Sequence, residues 1–186
     1  MYNIEVRRPR IEDAKEMNQF FSKVIKDTFT VEGLSGMEDE IRNEIEYKNQ
    51  YLNCDIDSNG ENRFFWIALD QNDNKIIGSI EYGPASELIV NCTNGELKGC
   101  IEVGTVFVHP DYQKRGIGNL LLNVMYLTLK IRGIEGFCLD SGYTNAQKIW
   151  KKKFGEPDYL LKDYWGEGYN HMIWKRSTTK TTLIFR

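Results

Sequence analysis

The chain has 186 residues, of which 41% are apolar and 27% charged, and this composition is typical of one folded globular domain. Its net charge of −3 disfavours general nucleic-acid binding, which requires a basic face. No apolar run approaches the roughly 20 residues of a membrane span, and the charged stretch after Met1 does not resemble a signal peptide. The cysteines lack metal-ligand spacing (Cys54, Cys92, Cys100 and Cys138). We therefore expect a cytoplasmic protein with reduced thiols and no membrane or nucleic-acid partner.

The first third of the chain predicts one strand and two helices, followed by two more strands. Residues 3–8 are strand-like, and apolar residues then recur at helical spacing over 11–26 and again over 36–51. Residues 63–69 and 75–82 are β-rich runs on either side of a polar turn.

A hairpin is predicted around Asn94-Gly95, because Asn-Gly is a strong signal for a two-residue turn. The runs on either side, Glu87–Cys92 and Leu97–Val108, are therefore both predicted as strands, antiparallel to each other.

The last third begins with a leucine-rich helix that ends at Gly133. One stripe of this helix is apolar and is expected to be buried (Ile117, Leu120, Leu121, Val124 and Met125). A strand (Gly136–Asp140), a helix (Asn145–Phe154) and two strands (Tyr159–Tyr164 and Tyr169–Trp174) follow. Residues 177–186 are a Thr-rich tail, predicted either as an extra edge strand or as a frayed end.

Residues 102–118 carry the most information about function. An apolar strand ends at His109-Pro110, a polar loop follows, and Gly116-Ile117-Gly118 opens the leucine-rich helix. Backbone N–H groups and the helix dipole converge at such a helix N-terminus, which predicts an anion site. Leu121 occupies the place of the third glycine of a dinucleotide fingerprint, and no Gly-Lys-Ser/Thr of a Walker loop is present.

The segment Gln113-Lys114-Arg115-Gly116-Ile117-Gly118 resembles the Gln/Arg-x-x-Gly-x-Gly/Ala signature of the GNAT superfamily of N-acetyltransferases. Val106, Val108 and Pro110 match the hydrophobic-x-Val-x-Pro run of the same family. The order β-α-α-β-β-β-α-β-α-β-β is also that of the GNAT fold, and the resemblance covers residues 3–176. It implies a single domain over 1–176 and an α/β (α+β) fold. In that fold a mixed, mostly antiparallel sheet contains a splayed central parallel strand pair and is flanked by helices.

This resemblance implies acetyl coenzyme A as the co-substrate. Its pantetheine arm is expected between the strand that ends at His109 and the strand Gly136–Asp140, and its pyrophosphate on the amides of residues 113–118. The implied cofactor-binding residues lie on the strand, the loop and the following helices (Val106, Phe107, Val108, Gln113, Lys114, Arg115, Gly116, Ile117, Gly118 and Asn145).

Acetyl transfer to an amine requires a base, because an ammonium has no free lone pair. Glu102 is our candidate, since it lies eleven residues before Gln113 and matches by spacing the base of the histone-modifying branch. An ordered water as base, with Glu102 only a solvent-facing strand residue, is the alternative. The resemblance implies that a backbone N–H of Val106 or Val108 stabilises the developing oxyanion.

The acid that protonates the departing thiolate is less well defined. Many family members carry a tyrosine where this chain has Trp150, and an indole cannot deliver its proton as an acid. Tyr143 or a water could take this role, or the thiolate leaves without help. Trp150 is then a packing residue.

The acceptor is predicted from charge. Between Asp27 and Glu61 there are ten acidic residues opposed only by Arg42 and Lys48, a local charge of −8. In the GNAT fold this region forms one wall of the acceptor groove, and an acidic wall attracts cationic amines. We therefore predict an acetyl-CoA-dependent N-acetyltransferase that acts on a primary amine of a small-molecule or peptide acceptor, by a direct ternary complex. The alternative is a non-catalytic acetyl-CoA-binding sensor, and a homodimer is left open.

Overall fold

The computed structural model describes residues 3–180 and 183. The described residues divide into two compact units. The first takes in residues up to Tyr82, Thr105–Leu127 and Leu183, and the second takes in Gly83–Gly104 and residues 128–180. A single domain over residues 1–176 stays a prediction.

The described residues form a mixed seven-stranded sheet in the order β1-β2-β3-β4-β5-β7-β6. The strands are β1 (Ile4–Arg7), β2 (Phe64–Asp70), β3 (Lys75–Pro84), β4 (Ile101–Val108), β5 (Gly136–Ser141), β6 (Tyr159–Leu161) and β7 (His171–Ser177). The helices are α1 (Ala14–Val31), α2 (Glu38–Asp57), α3 (Glu87–Cys92), α4 (Ile117–Ile131) and α5 (Thr144–Phe154). The sheet is mostly antiparallel, and β4 and β5 pair in parallel, which confirms the predicted fold class.

The core of the first unit forms between the apolar face of α1 and the strands. Phe21 of α1 is fully buried and lies 6.4 Å from Phe65 of β2 and 6.2 Å from Phe107 of β4, measured between ring centroids. At Gly78 of β3 an added Cβ would lie 2.9 Å from the side chain of Leu121 in α4. This close approach explains a glycine in the middle of a buried strand.

The second unit is built around β5 and β7, which pair antiparallel from Gly136 with Ser177 to Ser141 with Met172. Trp174 of β7 is fully buried, and its indole N–H donates to the carbonyl of Gly155 at 3.0 Å. This bond satisfies the polar atom of a large apolar side chain, so the tryptophan contributes its full area to the core.

The predicted strand Glu87–Cys92 is wrong, because these residues form α3. The hydroxyl of Ser86 caps the helix by accepting the N–H of Ile89 at 3.4 Å. Asn94 and Gly95 have φ values of +49° and +84°, and the N–H of Gly95 donates to the carbonyl of Val90 at 2.8 Å. Because this bond runs back to a carbonyl of α3, Asn94 and Gly95 form the C-terminal cap of the helix and not a hairpin turn. Left-handed residues are used in both structures.

The other predicted elements are confirmed with shifted ends. Strand β4 begins at Ile101 instead of Leu97, because residues 97–99 belong to the turn after α3. Helix α2 runs six residues beyond its predicted end to Asp57. In the tail, Ser177 closes β7 and Thr178–Lys180 form a 3₁₀ turn. Residues 181–182 and 184–186 lie outside the described residues, so the predicted edge strand is not decided.

Candidate functional site

The loop between β4 and α4 lies wholly in the first unit. His109 begins it, because its Nδ1 accepts the N–H of Asp111 at 3.3 Å and so starts a 3₁₀ turn over Pro110–Tyr112. Burial and nearby Lys75 lower the pKa of His109, so the neutral imidazole that can accept this bond is favoured. The side-chain amide of Gln113 donates back to the carbonyl of Val108 at 3.4 Å. The loop therefore folds back onto the end of β4.

The backbone of the loop then takes two left-handed residues before the helix. Lys114 has φ +60° and Gly116 has φ +86°, and the carbonyl of Gly116 accepts the N–H of Leu120 at 3.0 Å. Gly116 is thus the residue from which α4 starts, with Ile117 and Gly118 as its first two helical positions. The N–H groups of a first helical turn have no acceptor inside the helix, so those of Ile117 and Gly118 are suited to an anion.

The charge around this helix start is positive. Lys114 and Arg115 are both exposed, and the guanidinium of Arg115 lies 5.3 Å from the ring centroid of Tyr112.

Gly116 is needed for its positive φ, whereas Gly118 is helical, and a Cβ there would meet only Val108 at 3.7 Å. The two glycines therefore have different physical roles in the loop.

Strand β4 is irregular just before the loop. Two hydrogen bonds bound the stretch over which the chains of β3 and β4 run side by side: His109 N–H donates to the carbonyl of Ile77, and Ala85 N–H donates to the carbonyl of Cys100. Between these bonds the chain advances eight residues on the β3 side and nine on the β4 side. One extra residue on β4 is the definition of a β-bulge. Thr105 has φ +50° in this stretch, which makes it the irregular residue.

The predicted base Glu102 lies in the second unit, on the regular start of β4. It is 9% exposed, and Glu102 pairs with Cys138 of β5 in the parallel ladder. Its Oε2 accepts the N–H of Ser86, the capping residue of α3, at 2.7 Å. This places Glu102 against a helix N-terminus, where a negative charge is favoured.

Tyr143 and Asn145 lie at the N-terminus of α5, also in the second unit. Tyr143 is the half-buried N-cap residue, and its N–H donates to Ser141 Oγ at 3.1 Å. Asn145 is exposed in the first turn. Gln147, which is 7% exposed, fixes this region by donating to the carbonyls of Ser141 and Asn170 at 2.9 and 2.8 Å.

Trp150 packs along α5. Its ring is stacked on that of Phe154 with centroids 5.8 Å apart, and Phe154 in turn lies 6.3 Å from Phe137 of β5. These contacts favour the packing interpretation of Trp150 over a role in proton transfer.

The acidic residues of the α1–α2 region fall into two groups. Asp55 is fully buried, and it accepts the guanidinium of Arg8 at 2.6 Å and the N–H of Phe65 at 2.9 Å. Asp55 therefore has a structural role. The remaining nine are exposed or half-buried (Asp27, Glu32, Glu38, Asp39, Glu40, Glu44, Glu46, Asp57 and Glu61). Two of them form surface pairs, Asp39 with Arg42 and Glu44 with Lys48.

A buried polar cluster in the first unit was not predicted from the sequence. We name it the Glu81 cluster, and it consists of Arg63, Ser79, Glu81 and Thr105. Its members are 7%, 0%, 0% and 5% exposed, in that order. Arg63 and Glu81 form an ion pair, and Thr105 donates to Glu81. The available signal was a glutamate inside the apolar run of β3, which is unusual for a buried strand.

No helix among the described residues has the length and apolar character of a membrane span. No group of three His, Cys, Asp or Glu side chains in this part of the chain is arranged to hold a metal ion.

The sequence profile of the acetyltransferase (GNAT) family matches residues 23–156, and the chain therefore belongs to the GNAT family. The matched range contains the loop, the bulge, Glu102 and both α5 residues. A search of curated proteins gives no significant match.

Solved structures show the same fold. A protein assigned to the GNAT acetyltransferases from Desulfovibrio desulfuricans is 15% identical with a TM-score of 0.71, covering 94% of this chain and 99% of its own. The PaiA N-acetyltransferase of Thermoplasma acidophilum, solved with coenzyme A, is 18% identical with a TM-score of 0.65 over 94% and 99%. A spermidine N-acetyltransferase chimera from Vibrio cholerae and hSSAT is 12% identical with a TM-score of 0.63 over 95% and 96%.

Proposed function

We propose that this protein transfers an acetyl group from acetyl coenzyme A to a primary amine, in a direct ternary complex. The observation that carries the proposal is the loop before α4. There, a left-handed Gly116 and the basic Lys114 and Arg115 precede a helix N-terminus, in a chain of the GNAT family. This combination suits a pyrophosphate, because it supplies both backbone donors and positive charge.

Acetyl coenzyme A supplies the acetyl group as an activated thioester. The amides of Gln113–Gly118 bind its pyrophosphate, with Lys114 and Arg115 adding charge and Ile117 beginning the helix. In β4, Ile101 and Glu102 pair with β5, and the strand continues beyond them to Val108. We assign the backbone of Val106, Phe107 and Val108 to the pantetheine arm, and Asn145 to a further polar contact.

Glu102 accepts the proton that the acceptor amine must lose. A lysine-type ammonium has a pKa of about 10.4, so deprotonation costs free energy near neutral pH. The neutral amine then forms a C–N bond to the acetyl carbon as the C–S bond breaks. The N–H of Val106 stabilises the negative charge that develops on the carbonyl oxygen. Tyr143 or a water protonates the departing thiolate, and the second proton that the new amide nitrogen must lose replaces the donated one.

The acceptor is a cationic primary amine of a small molecule or peptide. The support for this class is the excess of exposed acidic side chains over α1 and α2, because such a surface raises the local concentration of cations. The similarity to a spermidine N-acetyltransferase is consistent with it.

The proposal is tested in two stages. Thermal unfolding is first followed with and without acetyl coenzyme A, and a ligand at a hundred times its Kd stabilises a protein by about 2.7 kcal/mol. The double variant Lys114→Gln/Arg115→Gln is expected to lose most of this shift. Lys130→Gln on the last turn of α4 is the matched control and keeps it. An unchanged melting temperature for the wild-type protein would contradict the cofactor assignment.

The second stage measures release of free thiol with a panel of amines that includes polyamines and lysine peptides. Turnover with a cationic primary amine supports the transferase. Binding of acetyl coenzyme A without turnover on any amine would instead identify a sensor.

A further inference from the structure

Thr105 has a backbone conformation that its side chain opposes. A β-branched residue at φ +50° is an outlier, because its Cβ crowds the following carbonyl in the left-handed region. Such strain persists only where the surroundings impose it, and it concentrates at functional sites. Thr105 is 5% exposed, so the forces that impose it come from buried neighbours.

Two neighbours on β3 hold Thr105. Its side-chain hydroxyl donates to Glu81 Oε1 at 3.2 Å, and its carbonyl accepts the hydroxyl of Ser79 at 3.0 Å. Because its side chain and its carbonyl are both hydrogen-bonded to β3, Thr105 has little rotational freedom.

The bond from Ser79 also fixes the next amide. Thr105 C=O and Val106 N–H belong to one planar trans peptide unit, so they point in opposite directions. Because the carbonyl points to Ser79 on β3, the N–H of Val106 points away from β3. This N–H is the donor assigned above to the developing charge.

Arg63 holds Glu81 in turn. The guanidinium of Arg63 donates to Glu81 Oε2 at 2.5 Å and lies 3.6 Å from the ring centroid of Tyr51 in α2. Glu81 is 0% exposed, so its carboxylate is closed to a substrate. Both carboxylate oxygens are occupied inside the protein, which excludes direct contact with the reacting atoms.

We propose that Glu81, Ser79 and Thr105 are positioning residues for acetyl transfer, which hold the β4 bulge so that the Val106 N–H faces the reacting carbonyl. This inference rests on the proposed function. It adds residues to that mechanism that touch neither acetyl coenzyme A nor the acceptor.

The test is a comparison of Thr105→Val with Thr105→Ser. Valine keeps the β-branched shape but removes the hydroxyl, so the bond to Glu81 is lost. We expect kcat to fall between about tenfold and about 10³-fold, since loss of one oxyanion donor costs about 10²–10³. The Kd for acetyl coenzyme A should change less than about threefold. Serine keeps the hydroxyl and is expected to restore kcat to within about threefold.

A second readout needs no turnover. The three-bond coupling between the amide and α protons of residue 105, measured by NMR on the ligand-free protein, reports its φ. We expect Thr105→Val to leave the left-handed region and Thr105→Ser to keep it. Thr93→Val is the matched control, because Thr93 is a 1% exposed threonine whose hydroxyl donates to Ile89 in the second unit. It should lose stability without a change in kcat or in the coupling of residue 105.

Wild-type turnover with an unchanged kcat in Thr105→Val would overturn the positioning role and leave the proposed function standing. A fall in kcat that Thr105→Ser does not rescue would also overturn it. Absence of wild-type turnover on every amine would remove the proposed function, and the positioning role with it.

Discussion

The two halves of β4 differ in backbone geometry and in the groups that they present. The start of the strand is regular, with Ile101 and Glu102 in parallel register with β5, and it presents a side chain. The second half and the loop beyond it contain three residues of positive φ: Thr105, Lys114 and Gly116. This irregular half presents backbone N–H groups instead.

The difference shows what each kind of donor or acceptor requires. A side chain is aimed by the alternation of a regular strand, and the carboxylate of Glu102 is held by the N–H of Ser86. A backbone amide in a regular sheet is used by the ladder, so aiming it elsewhere requires a bulge and an external brace. We propose that the Glu81 cluster is this brace, and it requires a buried ion pair. Four predictions test this contrast, from the largest expected effect to the smallest.

The largest effect is expected when the brace loses its charge partner. Arg63→Met keeps much of the apolar stem but leaves the Glu81 carboxylate buried without a counter-charge, which typically costs about 3–5 kcal/mol. Burial already raises the pKa of Glu81 in the folded protein, with Arg63 opposing this effect. The folded state therefore holds a proton more tightly than the unfolded state, and stability is lost as pH rises through the folded pKa. Urea unfolding near pH 8 should show the full loss, and the loss should be smaller near pH 5.

The control for this variant is Arg42→Met. Arg42 pairs with Asp39 at 2.6 Å, but both side chains are more than 70% exposed. Surface pairs contribute about 0–1 kcal/mol, so little change is expected at either pH. A loss in Arg63→Met that does not depend on pH would show that Glu81 is not the group left uncompensated.

The regular half of β4 is tested by Glu102→Gln. The glutamine oxygen still accepts the N–H of Ser86, so stability should change little. Turnover is expected to fall by about 10² or more, because the proposed base is removed. The acidic limb of the pH profile of kcat/KM should also disappear. Glu87→Gln on the first turn of α3 is the matched exposed carboxylate and should leave the profile unchanged. A retained acidic limb in Glu102→Gln would point to water as the base.

The loop is tested by a pair of glycine variants. Gly116→Ala forces a Cβ into φ +86°, which costs about 1–2 kcal/mol, and should lower both stability and acetyl-CoA affinity. Gly118→Ala has a helical backbone and meets only Val108 at 3.7 Å, so stability should be kept while affinity falls. Thermal unfolding and calorimetric titration separate the two effects. Unchanged affinity in Gly118→Ala would mean that the ligand does not approach the first turn of α4.

The smallest effect is expected from Tyr143→Phe. A coenzyme A thiolate departs readily, so loss of a proton donor should lower kcat by less than about tenfold. The measurement is kcat across pH, with Tyr47→Phe on the exposed face of α2 as control. A fall of several hundredfold would assign Tyr143 an essential role and would contradict departure of an unassisted thiolate.

Much of the fold follows from local patterns. Helical spacing located α1, α2, α4 and α5, and β-rich runs between polar turns located the strands, because these signals depend only on neighbours along the chain. The prediction at Asn94-Gly95 was wrong because it, too, depended only on neighbours along the chain. The left-handed conformations of this pair were predicted correctly in kind, yet a hairpin and a helix C-cap both use them. The choice depended on the cap from Ser86 and on the pairing of β4 with more distant strands.

The sequence by itself determined the family and the position of the loop, because the run from Val106 to Gly118 is contiguous and its signature depends only on neighbours along the chain. Only the tertiary structure brought together Arg63, which directly precedes β2, Glu81 of β3 and Thr105 of β4, up to 42 positions apart in the numbering. No local pattern encodes such a cluster, since its stability depends on burial and on the exclusion of water. The loop proposed to bind acetyl coenzyme A is local in the sequence, and the cluster proposed to orient the Val106 N–H is not.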